Sequence, residues 1–311
     1  LSEQSELRGL TLAEARISRD GSRKVVLRTS AGLPVETVLI PMSQAGGGDV
    51  TQCVSSQVGC RMGCDFCATA QMAVRANLTA GEIVDQVVCG ARLRRDAGEV
   101  PPPVAKGGPL WGLRPHNLVF MGMGEPLDNL DNVLAALGLL CDEALYGFAQ
   151  RRITVSTSGL TKRIPRLVEA FPNVNLAVSL TATTNEVRDT LMPLNKGQPI
   201  EKLVETLTNL PQNPYRKLTF EYALLAGVND SDGDAARLGA LSRRLGAHVN
   251  AIPFNPYPGA RYGRPSSERI GAFVRVLERA GGSVSVRESK GKDIGAACGQ
   301  LAGPLVAAAA S

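Results

Sequence analysis

Aromatic side chains are scarce in this 311-residue sequence, at 4% with a single tryptophan, so Val, Leu, Ile and Ala must fill its interior. No apolar run approaches the ~20 residues that cross a bilayer, which excludes a membrane-spanning helix. The opening residues, Leu-Ser-Glu-Gln-Ser-Glu-Leu, are polar and acidic, unlike a secretory signal. The first residue is not Met, so the translational start is expected upstream or processed away. Histidine is nearly absent too: only His116 and His248, both well downstream of the clustered cysteines described below. Seven cysteines occur, an odd number with four of them bunched. That pattern argues against a secreted disulfide scaffold and for the reducing cytoplasm. A net charge of +5 permits an RNA partner without requiring one.

The length allows one large domain or two modest ones. Residues 20–42 alternate apolar and polar around Ser-Ala-Gly-Leu-Pro, which predicts a β-hairpin in a small N-terminal unit ending near residue 50. Short β-branched runs then alternate with helical patterns. Strands are expected at 52–56, 117–121, 152–156, 175–179, 218–222 and 249–253, with a further one at 283–287. Thr79-Ala-Gly-Glu82 and Thr183-Thr-Asn-Glu186 both have the spacing of a helix-opening capping box. This rhythm argues for an α/β fold with parallel strands and right-handed crossovers, a partial (βα)6 barrel over 51–290. Functional residues then belong at the carboxyl ends of the strands. The Pro/Gly-rich segment 98–115 is read as a structural insertion on the opposite face. Residues 291–311 form a C-terminal loop and tail.

Cys60, Cys64 and Cys67 lie in Gly-Cys-Arg-Met-Gly-Cys-Asp-Phe-Cys, a C-x3-C-x2-C run. Three thiolates hold a four-iron cluster by three irons and leave the fourth open. An open iron beside S-adenosylmethionine (SAM) is the equipment of radical chemistry. The competing reading is a structural zinc with Cys53 as fourth ligand, although C-x6-C-x3-C-x2-C is not the paired-knuckle spacing of such sites. Phe66 suits a shield for the metal and a stacking surface for adenine.

Met121-Gly-Met-Gly-Glu-Pro follows an apolar strand, where glycines allow close backbone approach and Glu125 offers a carboxylate to an ammonium group such as that of SAM. Gly124 and Glu125, Ser156 in Ser-Thr-Ser-Gly, Ser179-Leu180-Thr181 and Asn255 are candidate SAM contacts at successive strand ends. Cys298, flanked by small residues after the last strand, is a candidate reactive thiol. Cys89 and Cys141 fall in helical apolar patterns and are read as core. Arg151-Arg152, Arg261 with Arg264, and the run from Arg287 to Lys292 form either a phosphate-contacting rim or a solvated surface.

Taken together, Cys53-Val-Ser-Ser-Gln-Val-Gly-Cys60, Asn77-Leu-Thr-Ala, Met121-Gly-Met-Gly-Glu-Pro-Leu, Pro193-Leu-Asn-Lys, Gly227-Val-Asn-Asp, Asn255-Pro-Tyr-Pro-Gly and Ala296-Ala-Cys-Gly-Gln-Leu resemble the radical SAM methyltransferases that methylate C2 of adenine in 23S ribosomal RNA. The resemblance implies one 4Fe–4S cluster, two SAM molecules per turnover and a 5′-deoxyadenosyl radical. It implies that Cys298 carries the methyl group as S-methylcysteine, that Cys53 releases the product by a transient disulfide with Cys298, and that Glu36 is a general base. It further implies 23S ribosomal RNA and transfer RNA as substrates, an external electron donor such as a flavodoxin, and a monomer without membrane attachment. Thr181 departs from the family, which usually has Ser-Leu-His there. The family's N-terminal helical accessory domain is represented by at most its last residues. Two rival expectations stand beside this: methylation at adenine C8, and a non-catalytic metal-stabilised RNA-binding module.

Overall fold

The structure is a computed structural model that describes residues 9–42, 49–99 and 114–301. The tail and most of the 98–115 insertion lie outside them. The sheet has ten strands in the order β1-β2-β3-β4-β7-β8-β9-β10-β11-β12. The first three are β1 (Thr11–Ile17), β2 (Arg23–Arg28) and β3 (Pro34–Pro41). They pair antiparallel, and β3 pairs antiparallel with β4 (Val50–Cys53). The expected hairpin therefore forms as β2–β3, but its hydrogen bonds continue across residue 50 into the main sheet.

From β4 onward the neighbours are parallel: β7 (Asn117–Phe120), β8 (Ile153–Thr157), β9 (Asn175–Ser179), β10 (Leu218–Leu224), β11 (His248–Pro253) and β12 (Ser283–Val286). The sheet stays open, with β1 and β12 at its edges. A two-stranded ribbon, β5 (Gln57–Val58) with β6 (Ala76–Asn77), closes the base of the cysteine loop.

Helices α1 (Ala80–Asp96), α2 (Leu130–Cys141), α3 (Ile164–Ala170), α4 (Asn185–Leu191), α5 (Ile200–Thr208), α6 (Asp232–Leu245) and α7 (Ser267–Arg279) connect the parallel strands. α1 opens on the predicted capping box, with Thr79 Oγ1 accepting from the Glu82 amide and Glu82 accepting from the Thr79 amide. The second predicted box does not form. Thr184, not Thr183, is the N-cap of α4 and makes no side-chain cap bond. Thr183 is occupied elsewhere, donating to Asp234 Oδ1 at 2.7 Å. The core is aliphatic, as the composition requires, with Leu118, Val155, Val178 and Val249 buried along the strands. Cys89 and Cys141 pack at its margin. No helix among the described residues is long and apolar enough to cross a membrane.

Candidate active site

A cavity of about 190 Å³ lies at the carboxyl ends of the parallel strands. Cys60, Cys64, Cys67 and Phe66 form one wall. Gly124, Glu125, Ser156, Ser179 and Thr181 line the strand ends, and Asn255, Arg287 and Cys298 complete the lining. Residues scattered over 240 positions thus converge where a parallel α/β sheet places its chemistry.

The cysteine loop is held by backbone. Asp65 N donates to Leu191 O at 2.9 Å, Cys67 N to Cys64 O at 3.1 Å and Ala68 N to Gly299 O at 2.9 Å. Cys64 and Phe66 pack on Leu191, Met192, Leu225 and Phe254. Burial pushes the Cys60 thiol up to about 12, with Cys64 well above its ordinary value and Cys67 also raised. Cys53 does not belong to this wall. It lies on β4 in the apolar group of Val38, Met123, Ala296 and Leu301, a different group from the one that holds Cys64 and Phe66. It neighbours Cys298 instead. Burial pushes its thiol up to about 12, the Cys298 thiol adds to this, and Arg287 opposes it.

The glycines after β7 line the cavity and also serve a second neighbour. A Cβ on Gly122 would meet the Val54 carbonyl at 2.8 Å, and one on Gly124, at φ +95°, would meet Gln57 at 2.6 Å. They let the loop cross the exit of β4. Glu125 is fixed from both sides: Oε2 accepts from the Ser158 amide at 2.7 Å and Oε1 from the Leu127 amide at 3.1 Å. Burial raises its pKa against these donors. Its spare lone pairs suit a cation entering the cavity.

Arg188 on α4 is 1% exposed and braces the strand ends. Nε donates to Leu180 O at 3.0 Å, Nη2 to Ser158 O at 2.7 Å and Ser179 O at 3.2 Å, and Nη1 to Asn195 Oδ1 at 2.9 Å. Asn195 belongs to Pro-Leu-Asn-Lys and Asn229 to Gly-Val-Asn-Asp. Asn229 donates to Thr181 O at 2.6 Å and Ala223 O at 2.7 Å. These two motifs are therefore brackets behind the site. Leu180 is not part of the lining: its side chain is in the core and its amide donates to Glu221 O at 3.1 Å. Thr181 lines the cavity with φ +56°, the one positive-φ non-glycine among the described residues. That conformation is strained for a β-branched residue.

Asn255 donates to Ser289 Oγ at 2.7 Å and to Cys298 O at 3.4 Å, which ties it to the Cys298 loop. Its Oδ1 is buried at the cavity without a hydrogen-bond partner, and the Ser158 hydroxyl is buried there beside the Glu125 carboxylate. A polar ligand satisfies such atoms, and the amino-acid and ribose groups of SAM have that chemistry. Sequence reasoning missed Glu221, which lines the cavity; Ser158 lies in the Ser-Thr-Ser-Gly motif it singled out, and Arg287, expected on a rim or a solvated surface, also lines the cavity. The signal available for Glu221 was its place between core residues Phe220 and Tyr222, on the opposite face of β10.

Glu36 lies on β3, 1% exposed, outside the cavity lining. Its Oε1 pairs with Lys24 Nζ at 2.9 Å, and Lys24 Nζ also donates to Gly295 O at 3.1 Å. Further bonds fasten the same loop to the N-terminal hairpin: Gly291 N to Asp20 Oδ2 at 2.8 Å, Ser18 Oγ to Asp293 Oδ1 at 2.5 Å and Arg19 N to Asp293 Oδ2 at 3.2 Å. The basic rim dissolves on inspection. Arg151 and Arg152 precede β8, at the end away from the cavity, and Arg287 is inside it. Arg261 pairs with Asp65, while Arg264 and Lys292 pair with Glu288.

The model of the Radical SAM superfamily matches residues 54–239. The dual-specificity RNA methyltransferase RlmN of Paracoccus denitrificans is 46% identical over 303 residues, covering 97% of this chain and 75% of that protein. RlmN of Desulfosudis oleivorans is 45% identical, covering 98% and 77%. The crystal structure of a radical SAM methyltransferase from Sphaerobacter thermophilus superimposes with a TM-score of 0.84 at 45% identity, over 94% of this chain and 81% of that one. Superfamily membership implies a 4Fe–4S cluster and SAM, which fit the three-thiol wall and the unsatisfied polar atoms of the same cavity. With that fold, that cavity and these relatives, the chain belongs to the radical SAM superfamily and, within it, to the RlmN family of RNA methyltransferases.

Proposed function

We propose that this chain methylates C2 of adenine in 23S ribosomal RNA and of an adenosine in transfer RNA, by way of a methyl group carried on Cys298. The supporting observation is the placement of Cys298: it lines the same cavity as Cys60, Cys64 and Cys67 and neighbours the buried Cys53. A weakly nucleophilic aromatic carbon cannot take a methyl cation directly, so a radical route with a protein-bound methyl carrier suits the substrate.

Cys60, Cys64 and Cys67 hold the cluster, which when bound supplies the electron that cleaves SAM. Glu125 receives the SAM ammonium group, and Gly124, Ser156, Ser179, Thr181 and Asn255 position the rest. The Cys298 thiol gives up its proton and takes a methyl group from a first SAM as a thioether. Joining that methyl carbon to C2 removes one methyl hydrogen atom, which would leave with the 5′-deoxyadenosyl group of the second SAM, and one electron, which would return to the cluster; the Cys53 thiolate then attacks the Cys298 sulfur. The sulfur–carbon bond breaks with its electron pair on carbon, that carbon takes up a proton to become the product methyl group, and a Cys53–Cys298 disulfide remains for the external donor to reduce. Glu36 takes the C2 proton, either after the loop shifts or through the Lys24 contact. Each turnover uses two SAM molecules and one cluster, with electrons from an external donor such as a flavodoxin. The enzyme acts as a cytoplasmic monomer, with 51–290 as the catalytic barrel and 291–311 as carrier loop and tail.

Mass spectrometry of both RNAs after anaerobic incubation with reconstituted enzyme, SAM and a reductant tests this reading. It predicts 2-methyladenosine. Finding 8-methyladenosine, or a colourless protein holding one zinc and forming no 5′-deoxyadenosine, overturns it.

A further inference from the structure

One buried carboxylate in the cavity has no part in the scheme above. Glu221 sits at mid-strand on β10, 7% exposed, and lines the cavity. One of its oxygens is anchored and the other is not. Oε1 accepts from Asn250 Nδ2 at 2.9 Å. Asn250 Oδ1 accepts from Ser285 Oγ at 3.1 Å, and Ser285 Oγ meets His248 Nε2 at 2.8 Å. Oε2 is buried without a hydrogen-bond partner.

The sheet register explains the ladder. Ser179 pairs with Glu221, Glu221 with Asn250, and Asn250 with Ser285, so one row runs across β9, β10, β11 and β12. Its inner end, Ser179, lines the cavity at a candidate SAM contact. Its outer end, Ser285, is exposed. Three consecutive strands thus fix the orientation of one carboxylate and leave its second oxygen acceptor-only, inside the cavity. Leaving such an oxygen dry is costly, so a ligand donor is the expected partner. Asn250 excludes a proton relay, because an amide does not pass protons along the row.

We infer that Glu221 is a ligand-contacting residue whose Oε2 accepts a hydrogen bond from the hydroxyl or exocyclic amino donors of an adenosine. Two adenosines enter this cavity in the proposed reaction, that of SAM and that of the RNA target, and they share this donor chemistry. The inference rests on the SAM and RNA reading of the cavity.

The test is anaerobic calorimetry on the cluster-loaded enzyme with SAM, and fluorescence anisotropy with an RNA hairpin bearing one unpaired adenosine. Each ligand is compared with analogues lacking the 2′-hydroxyl, the 3′-hydroxyl or the 6-amino group. Glu221→Gln turns the free oxygen into a donor and should weaken one of the two ligands by roughly 10-fold or more. The analogue missing the recognised donor should bind wild type and Glu221→Gln alike. Which ligand shows this pattern assigns the adenosine. Ser285→Ala, at an exposed position, should weaken the same ligand by a smaller factor, about 2-fold, and carries the test if Glu221→Gln does not fold. Unchanged affinity for both ligands, or an equal loss for the parent and every analogue, overturns the inference. A wild-type enzyme that binds neither SAM nor RNA refutes the underlying reading instead.

Discussion

The cavity wall formed by the ends of β7 to β9 and the wall formed by residues 291–299 differ in what holds them in place. Behind the first stand buried, charge-assisted brackets: Arg188 spans Ser158, Ser179 and Leu180, Glu125 caps two amides, and Asn229 grips Thr181 and Ala223. The second carries Cys298 on a loop fastened to the β1–β2 turn by buried Ser18, exposed Arg19 and half-buried Asp20, and to β2 by half-buried Lys24. Bonds of the first kind are costly to break because an unmet buried group follows. Bonds of the second kind exchange readily with water. The difference suits the proposed reaction, in which the cluster and SAM would stay fixed whereas the Cys298 sulfur would meet SAM, RNA and Cys53 in turn.

The sharpest way to break this comparison is on the thiol side. Cys53→Ala should abolish multiple turnover and accumulate a covalent enzyme–RNA adduct through Cys298, visible by denaturing electrophoresis and peptide mass spectrometry. Normal turnover would show that the loop needs no partner on β4. On the bracketed side, Arg188→Met leaves three carbonyls and Asn195 without their donor and should cost about 3 kcal/mol of stability, read by urea unfolding. A loss below about 1 kcal/mol would mean the wall does not depend on that bracket.

The latch should be weaker. Burial works against the Asp20 carboxylate, but the Gly291 and Ser22 amides and the Ser22 and Ser18 hydroxyls outweigh it and hold its pKa at about 2. A depressed carboxylate stabilises above its unfolded pKa, and that contribution is lost as pH falls from near 4 through about 2. Asp20→Asn should therefore cost about 1 kcal/mol at pH 7, screened by solvent, with the difference from wild type vanishing toward pH 2 in pH-stepped urea titrations. A gap that persists at low pH would remove the carboxylate from the latch. The smallest effect concerns Thr181. Histidine tolerates positive φ better than a β-branched residue, so Thr181→His should raise stability by about 0.5 kcal/mol. A melting temperature that falls instead would show that Thr181 makes a contact worth more than its strain.

Much of the site was legible before any coordinates. C-x3-C-x2-C is local, and the superfamily match bears out the cluster chemistry that this spacing pointed to. The strand rhythm was equally legible, because apolar β-branched runs between amphipathic helices leave little choice but parallel pairing. The Thr79 box formed because its partners are three residues apart. The Thr183 box failed because a distant carboxylate, Asp234, competed for the same hydroxyl. Gly122 and Gly124 were legible as close-approach positions, but their approach to the exit of β4, 65 or more residues earlier in the chain, was not.

The sequence by itself determined the parallel α/β architecture and pointed to the candidate cluster ligands and the candidate carrier thiol, since these rest on spacing, short-range periodicity or resemblance. Only the tertiary structure decided that Cys53 packs with Ala296 and Leu301 of the Cys298 loop, that Arg287 is inside the cavity, and that Glu221 is anchored across three strands. The physical reason is one of range. Electrostatic and hydrogen-bond partners are chosen by sheet register and burial, and register brings together residues that no local pattern connects.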